Sequence, residues 1–399
     1  MFCGRCGAPL SEHDRFCGRC GAAIDPAALE AQATAAKQAA AEKEAKRAYH
    51  LSTLSTAVTF GVMEEAIMLP PMLGVVLLMC SVVATWFMYG GQPIDEEPIF
   101  WAWIPDNWYE LFIVLVVGYA VFYIIGAVIG LKVSGLIRRR VPAAPIEQRP
   151  LKLPELLMVT AIAFGLWGVG AAIGIAPLYV APVASWDFGW NEAPIWVLSV
   201  LWAPVFEEYL FRKLLLDRVA PYGQRIAVLF SALLFGMAHQ NGMQFYLAFG
   251  IGLLFAVIYL KTGRLRYTIA LHCLINLFAT LDSIGVLVFG DAFDIGWLIA
   301  AGVLTLAGVV TAVLCRHHPL FSLPKEESPA MWKAAFSGWS VTLVQVISIA
   351  AIAFMGFFYA ALAWDADGGF ESLLHLVPAG GAIAVICVLF HWARHRKTA

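Results

Sequence analysis

Three clusters of polar residues interrupt long apolar stretches in the second half of the chain, and their residue types suit acid–base chemistry. They are Glu207, Glu208 and Arg212; Phe235 and His239; and His272 and Asn276. A carboxylate can take a proton from water with the help of a neutral imidazole. A second imidazole and an amide can donate hydrogen bonds to a developing oxyanion. The residue types therefore favour a hydrolytic site.

Helix geometry sorts these residues by face. Glu208 and Arg212 are four residues apart, so on a helix they can form an ion pair. Glu207 would then point about 100° away and stay free for chemistry. His272 and Asn276 are also four residues apart and share one stripe. For any single one of these residues, a structural ion pair or a hydrogen-bonded histidine is the favoured explanation, but the three clusters together favour a functional site.

The three clusters also lie at overlapping depths. With Arg218, Arg225 and Arg266 taken as the cytoplasmic surface and ~1.5 Å per residue, the depths are ~16 Å for Glu207, ~20 Å for His239, ~9 Å for His272 and ~15 Å for Asn276. Ionisable groups at membrane depth are costly and are functional candidates by default. We therefore expect a site reached from the cytoplasmic half of the membrane.

At these residues the chain resembles the CPBP intramembrane proteases, a family that includes the CAAX prenyl endopeptidases and bacteriocin-processing or self-immunity proteins. The patterns E-E-x-x-x-R, F-x-x-x-H and H-x-x-x-N begin at Glu207, Phe235 and His272. The resemblance covers roughly residues 155–290. It implies an intramembrane endopeptidase that cleaves a peptide or protein substrate, lipid-modified in the CAAX case, near the cytoplasmic face of a bacterial plasma membrane.

The same resemblance implies roles for the six polar residues. Glu207 would activate water with help from His239, and His272 and Asn276 would bind the oxyanion. Glu208 and Arg212 would support the base. The family is often described as metalloproteases, although a metal-free glutamate mechanism is also implied for it. Glu207, His239 and His272 could ligate Zn²⁺, but the chain has no H-E-x-x-H helix, so a catalytic metal stays open.

A second functional hypothesis is a non-proteolytic membrane protein that uses the same polar residues. It could be an immunity scaffold or a transporter. A transporter of the common kinds would show an inverted repeat or paired broken helices, and the sequence shows neither. We favour the protease, and loss of activity on substitution of Glu207 separates the two hypotheses.

The amino terminus carries a separate metal-binding pattern. Two C-x-x-C pairs, each followed by glycine, are formed by Cys3, Cys6, Cys17 and Cys20. Four thiolates in this spacing suit a closed, structural Zn²⁺ site, while two disulfides or a redox pair are the alternatives. The segment resembles the short zinc ribbons found at the ends of many bacterial membrane proteins. We expect it to be a recruitment or regulatory module for a cytoplasmic partner. Since its arginines are offset by acidic residues, we expect no nucleic-acid binding.

Composition places these two sites in different parts of the chain. Hydrophobic residues make up 61% and charged residues 14%, against about 45–50% and about 25% in soluble proteins. We predict a zinc ribbon over residues 1–25, a solvated helical linker over 26–50 and a transmembrane domain over 51–399. The class is an all-α polytopic membrane protein with about ten transmembrane helices.

The predicted spans lie near 66–90, 108–135, 155–182, 194–216, 226–241, 243–262, 266–290, 294–315, 333–363 and 372–393. Basic and acidic connections alternate between them, which predicts that both termini are cytoplasmic. Residues 239–242 should turn the fifth span directly into the sixth. An acidic pair, Glu64 and Glu65, is interpreted as a polar lead-in to the first span.

Overall fold

The expected all-α architecture is confirmed. The computed structural model of the chain describes residues 2–11, 14–88, 108–144, 146–180, 197–324, 328–367, 373–374 and 376–396. Within these ranges there is no β-strand, and the β-type pairs are isolated bridges from Phe2 to Pro9 and from Phe16 to Ala23. Both bridges lie in the predicted zinc ribbon, and the rest of the described chain is helices and their connections.

The helices before the polar clusters are α1 (Pro26–Met88), α2 (Trp108–Arg138) and α3 (Leu153–Val180). A composite helix follows over residues 198–219, and we call it the motif helix. It comprises a π-helical segment (Leu198–Trp202), α4 (Ala203–Glu208), a second π-helical segment (Tyr209–Leu216) and α5 (Asp217–Val219). The later helices are α6 (Gln224–Ala238), α7 (Gly242–Thr262), α8 (Leu265–Phe289), α9 (Asp291–Leu314), α10 (Pro329–Phe336), α11 (Trp339–Asp367) and α12 (Leu376–His395), with short 3₁₀ turns at Ala220–Tyr222 and Pro319–Phe321.

Six of the described helical segments are long and apolar enough to cross a membrane. They are Ala120–Arg138, Leu153–Gly174, Gly242–Thr262, Phe293–Leu314, Trp339–Phe358 and Leu376–His395, and Gln224–Ala238 is a shorter apolar helix. In their described residues, nine of the ten predicted spans lie largely within one helix or within the composite motif helix, and the ninth along the chain is divided between two helices. The predicted ends at 89–90, 181–182, 194–196 and 372 lie outside the described residues.

The ninth predicted span contains a break that the apolar pattern did not reveal. Residues 333–336 belong to α10, which begins after the cap formed by Ser328 and ends at Phe336. A new helix, α11, starts at Trp339 after Gly338. Trp332 and Phe336 are buried in the core around the motif helix, so this short helix packs against the core as an element separate from α11.

The predicted linker and the first predicted span form one continuous helix, α1, of 63 residues. Its early part is mostly exposed, as expected for a solvated linker. The helix already enters the core at Tyr49, which is fully buried and packs edge-on against Phe230 with ring centroids 4.8 Å apart. The boundary between linker and membrane domain therefore falls within α1 and is not marked by a loop.

The core that positions the polar clusters has two parts. The larger part surrounds the motif helix and α6, with Phe211, Phe230 and Phe235 among its fully or almost fully buried residues. The second part joins α3, α7, α8 and α9. On α3 and α9, Gly165 and Gly308 face each other so closely that a Cβ on Gly165 would lie 2.6 Å from the Gly308 backbone. Close helix approach of this kind is typical of small residues in membrane proteins.

Candidate active site and zinc ribbon

The motif helix changes its winding at the acidic pair. Glu207 and Glu208 end the short α-helical segment α4, and π-helical turns lie on both sides of it. π-Helical turns are uncommon and occur frequently at functional sites. The sequence did not predict the π-helical turns, because the spacing arguments assumed a regular α-helix.

Glu208 and Arg212 form the predicted ion pair. Arg212 Nε lies 2.9 Å from Glu208 Oε2, and both side chains are fully buried. Arg212 Nη1 also donates to Ser231 Oγ on α6 at 2.8 Å. The guanidinium lies 5.0 Å from the Phe235 ring centroid. The pair therefore ties the motif helix to α6 inside the core.

His272 lies beside both glutamates. Its Nδ1 lies 3.2 Å from Glu208 Oε1, and its Nε2 lies 3.9 Å from Glu207 Oε2. The Glu208 carboxylate is paired with Arg212, so it accepts a hydrogen bond and His272 Nδ1 must donate it. The second ring nitrogen, Nε2, is thereby directed towards Glu207. Helix α8 and the motif helix are brought together as the pattern predicts.

Asn276 lies one turn further along α8. Its Nδ2 donates to the backbone carbonyl of Ser199 at 2.7 Å, which ties α8 to the first π-helical segment of the motif helix. An amide nitrogen carries two N–H donors, so this bond uses one of them.

His239 lies at the end of α6, one residue before Gln240, whose φ is 53°. Its Nδ1 lies 2.9 Å from the carbonyl oxygen of Phe235. Phe235 packs edge-on against both histidines, with ring centroids 5.1 Å from His239 and 5.8 Å from His272. The four-residue spacing of the F-x-x-x-H pattern thus places the aromatic ring against both imidazoles. The turn predicted at 239–242 is confirmed, with Asn241 Oδ1 accepting from the Gln244 backbone N–H at 2.8 Å.

Two further residues, Glu64 and Tyr123, lie in the same region. Sequence reasoning set Glu64 aside and did not identify Tyr123. Glu64, interpreted as a lead-in to the first span, is partly buried on α1 and lies within electrostatic range of Glu207. Tyr123 on α2 lies within electrostatic range of both carboxylates and packs edge-on against Phe206, with ring centroids 5.7 Å apart. The Tyr123 hydroxyl is buried and has no hydrogen-bond partner among the described residues. An acidic pair inside an apolar run was the available signal for Glu64, whereas Tyr123 had none.

The four amino-terminal cysteines are gathered as the C-x-x-C pairs predict. Sγ of Cys3 lies 3.7 Å from that of Cys20, and Sγ of Cys6 lies 3.6 Å from that of Cys17. These separations are far longer than a disulfide bond of about 2.05 Å. They match a tetrahedron of thiolates at about 2.3 Å from a central Zn²⁺, whose edges are about 3.8 Å. The four residues fit a structural zinc ion.

Local backbone groups favour the metal-binding form of two of these thiols. The backbone amides of Arg5 and Cys6 lower the pKa of Cys3. In the second pair, the backbone amides of Cys20 and Arg19 lower the pKa of Cys17 to about 6. Because zinc binds the thiolate, both effects favour metal binding at neutral pH. The Sγ atoms of these four cysteines all lie within 4.8 Å of one another, so the four side chains could hold one metal ion.

Comparison with known proteins finds a family match for each of the two regions. Residues 188–278 match the family described as type II CAAX prenyl endopeptidase Rce1-like, and residues 2–24 match the zinc-ribbon domain. Residues 188–278 thus resemble an Rce1-like CAAX protease domain. All six predicted site residues of the membrane region fall inside the range that matches this domain.

A curated relative of the CAAX protease domain is the membrane-embedded CAAX protease MroQ of Staphylococcus aureus (strain USA300). The two are 34% identical over 99 residues, which cover 23% of this chain and 40% of MroQ. The match therefore spans less than half of that relative. No solved structure matches the chain significantly. Together with the six apolar helices, the CAAX protease domain identifies an integral membrane protein.

Proposed function

We propose that this protein is an intramembrane endopeptidase that hydrolyses a peptide bond near the cytoplasmic face of a bacterial plasma membrane, with both termini in the cytoplasm. The observation that carries the proposal is the buried chain from Arg212 through Glu208 to His272, which ends beside Glu207. The substrate is a peptide or protein segment, lipid-modified if it is of the CAAX type. The zinc ribbon would recruit a cytoplasmic partner.

Glu207 is the proposed base. It would accept a proton from a water molecule while the water oxygen attacks the peptide carbonyl carbon, and this proton would later pass to the leaving amine as the C–N bond breaks. The orientation of His239 supports an assisting role. Because a carbonyl oxygen can only accept, His239 Nδ1 donates to Phe235, and a neutral ring then keeps a lone pair on Nε2.

His272 and Asn276 are the proposed oxyanion donors. Since Nδ1 of His272 donates to Glu208, its Nε2 can donate as well only when the ring is positively charged. Asn276 keeps one N–H free of the Ser199 carbonyl for the same oxyanion. Glu208 and Arg212 act as positioning residues in this scheme.

The test is hydrolysis by the full-length protein in proteoliposomes. A library of membrane-associated peptides, with and without a farnesyl group, is incubated in H₂¹⁸O, and mass spectrometry detects new termini that carry ¹⁸O. Removing a general base typically lowers the rate by about 10²–10⁴-fold, so we expect a loss of this size in Glu207→Gln. Glu65→Gln is the matched control, because Glu65 is an exposed carboxylate on α1.

Two results would overturn the assignment. Cleavage at the wild-type rate by Glu207→Gln would remove Glu207 from the role of base. If the wild type labels no peptide, while Glu207→Gln and His239→Ala preserve the cellular phenotype, a non-proteolytic immunity scaffold or transporter would replace the protease.

A further inference from the structure

A strongly basic cavity lies where α2 meets the motif helix, away from the hydrolytic site. Its volume is about 460 Å³, and it is lined by Leu131, Lys132, Gly135, Arg138, Arg139 and Arg218. Four of these six residues are cationic and none is acidic. Such a cavity is chemically complementary to an anion.

Arg138 and Arg218 in this cavity have polar partners, but neither side chain bonds to a carboxylate among the described residues. Arg138 donates to Ser134 Oγ at 2.8 Å and to the Leu131 carbonyl at 2.9 Å. Arg218 donates through Nη1 to the Leu214 carbonyl at 2.8 Å, while its buried Nε has no partner there. Burial and the nearby Arg138 lower the pKa of Arg218, so the two guanidinium groups repel each other. A bound anion would relieve this repulsion and could satisfy the Nε–H.

The acidic residue next to Arg218 does not neutralise the cavity. Asp217 is almost fully buried, at 1% exposure. One of its oxygens accepts from the Tyr259 hydroxyl at 2.8 Å, and the other pairs with Lys213 at 2.6 Å. Both oxygens of the Asp217 carboxylate are thus already engaged by other residues, and the positive charge of the cavity persists.

An exposed apolar surface continues from the cavity along α2. Ile125, Ile129, Lys132, Leu136 and Arg139 recur at intervals of three or four residues, so they share one helix face. The apolar members are well exposed, at 45% for Ile125, 47% for Ile129 and 68% for Leu136. This face lies in a segment that is long and apolar enough to span a membrane. It could contact acyl chains while the cations at its end contact a headgroup.

From this combination we infer that the cavity binds the phosphate of an anionic phospholipid whose acyl chains lie along α2. A free phosphate ion would bind the same cations, but it would make no contact with the exposed apolar face that leads to them. Basic pockets between transmembrane helices bind anionic headgroups in this manner. Each cation near an anionic membrane surface contributes about 1 kcal/mol, which corresponds to about fivefold in affinity.

Lipid binding is measured by native mass spectrometry on the delipidated full-length protein in detergent, titrated with phosphatidylglycerol or phosphatidylcholine. We expect one phosphatidylglycerol to bind more tightly than phosphatidylcholine. The double variant Lys132→Gln/Arg139→Gln should lower phosphatidylglycerol affinity by about 25-fold, on the basis of two cations. Both side chains are exposed, so folding should be unaffected. Arg218→Gln should weaken the same binding event, and its melting temperature is recorded alongside.

Arg140→Gln is the matched control for the single variant Arg139→Gln, because Arg140 is the adjacent exposed arginine and does not line the cavity. Binding that falls equally in these two variants would indicate diffuse surface charge and overturn the proposal. Equal affinities of the wild type for the two lipids would also overturn it. Full displacement of phosphatidylglycerol by millimolar inorganic phosphate would identify free phosphate as the ligand instead of a lipid.

Discussion

The zinc ribbon and the buried polar site stabilise their polar groups in opposite ways. The ribbon has a very small core, in which Cys3, Ala8 and Cys17 are the buried members. The polar site is enclosed by the largest core of the described chain, where Glu208 and Arg212 are fully buried. The ribbon depends on an added ligand for its shape, whereas the polar site depends on the fold that surrounds it.

This difference determines which change would destabilise each site. A small segment without a core gains its folding free energy from the metal, so losing the metal affects that segment alone. A buried ion pair offers little net stability, but removing one partner leaves an uncompensated charge inside the protein. The effect then spreads through every helix that packs against the pair. Four experiments test this contrast.

Zinc removal should have the largest effect, and it should be local. Apparent zinc-binding free energies of about 10–16 kcal/mol in small zinc modules are folding free energies. We expect a strong chelator, or Cys17→Ser, to make residues 1–25 sensitive to limited proteolysis while the membrane domain keeps its melting temperature. Elemental analysis should give one zinc per chain before treatment. Cys315→Ser is the control, and a protease-resistant ribbon without zinc would contradict the contrast.

Breaking the buried ion pair should destabilise the whole membrane domain. Arg212→Ala leaves the Glu208 carboxylate unpaired, which typically costs about 3–5 kcal/mol. The double variant Glu208→Leu/Arg212→Met removes both charges and should be less destabilised than Arg212→Ala. Thermal unfolding in detergent measures both, with the exposed Arg266→Ala as control. A double variant less stable than the single one would show that the pair itself contributes stability.

Asn276→Ala should affect catalysis more than stability. Loss of one oxyanion donor lowers kcat by about 10²–10³-fold. Thr280→Ala is the matched control, because Thr280 lies one turn along α8 and its hydroxyl donates to the Asn276 carbonyl at 2.7 Å. The peptide assay in proteoliposomes gives kcat and KM for both. An effect on KM alone would place Asn276 in substrate binding.

The smallest effect is expected at Tyr123. Its buried hydroxyl has no partner among the described residues, so Tyr123→Phe should leave the free energy of unfolding unchanged or raise it by about 1 kcal/mol. Tyr259→Phe is the contrasting variant, because its hydroxyl donates to Asp217 at 2.8 Å. That variant should lose about 1.5–3 kcal/mol, as expected for a hydrogen bond to a charged group. Equal losses in the two variants would show that Tyr123 also has a polar partner in solution.

Local patterns predicted the parts of the site that lie within one helix. The Glu208–Arg212 pair follows from a spacing of four residues, and the cysteine cluster follows from two tight C-x-x-C turns. The zinc ribbon and the CAAX protease domain were both predicted from such patterns and are supported by the comparisons. The roles of the individual site residues stay predictions.

Contacts between distant helices could not be predicted in the same way. Ser231 binds Arg212 and the Ser199 carbonyl binds Asn276 because tertiary packing brings α6 and the motif helix to them. Glu64 lies near Glu207 for the same reason. The break before α11 did have a local signal, Ser337–Gly338, but the apolar residues on both sides concealed it.

The length of α1 sets a distance for whatever binds the zinc ribbon. The helix begins at Pro26, and from there to Tyr49, where it is fully buried in the core, its rise of ~1.5 Å per residue gives about 35 Å. The ribbon is fastened to the start of this rod, with the Phe2 backbone N–H donating to Gln32 at 3.1 Å. The same helix continues to Glu64, which lies within electrostatic range of Glu207. A partner that binds and tilts the ribbon would therefore act on the same helix that carries Glu64 to the candidate site.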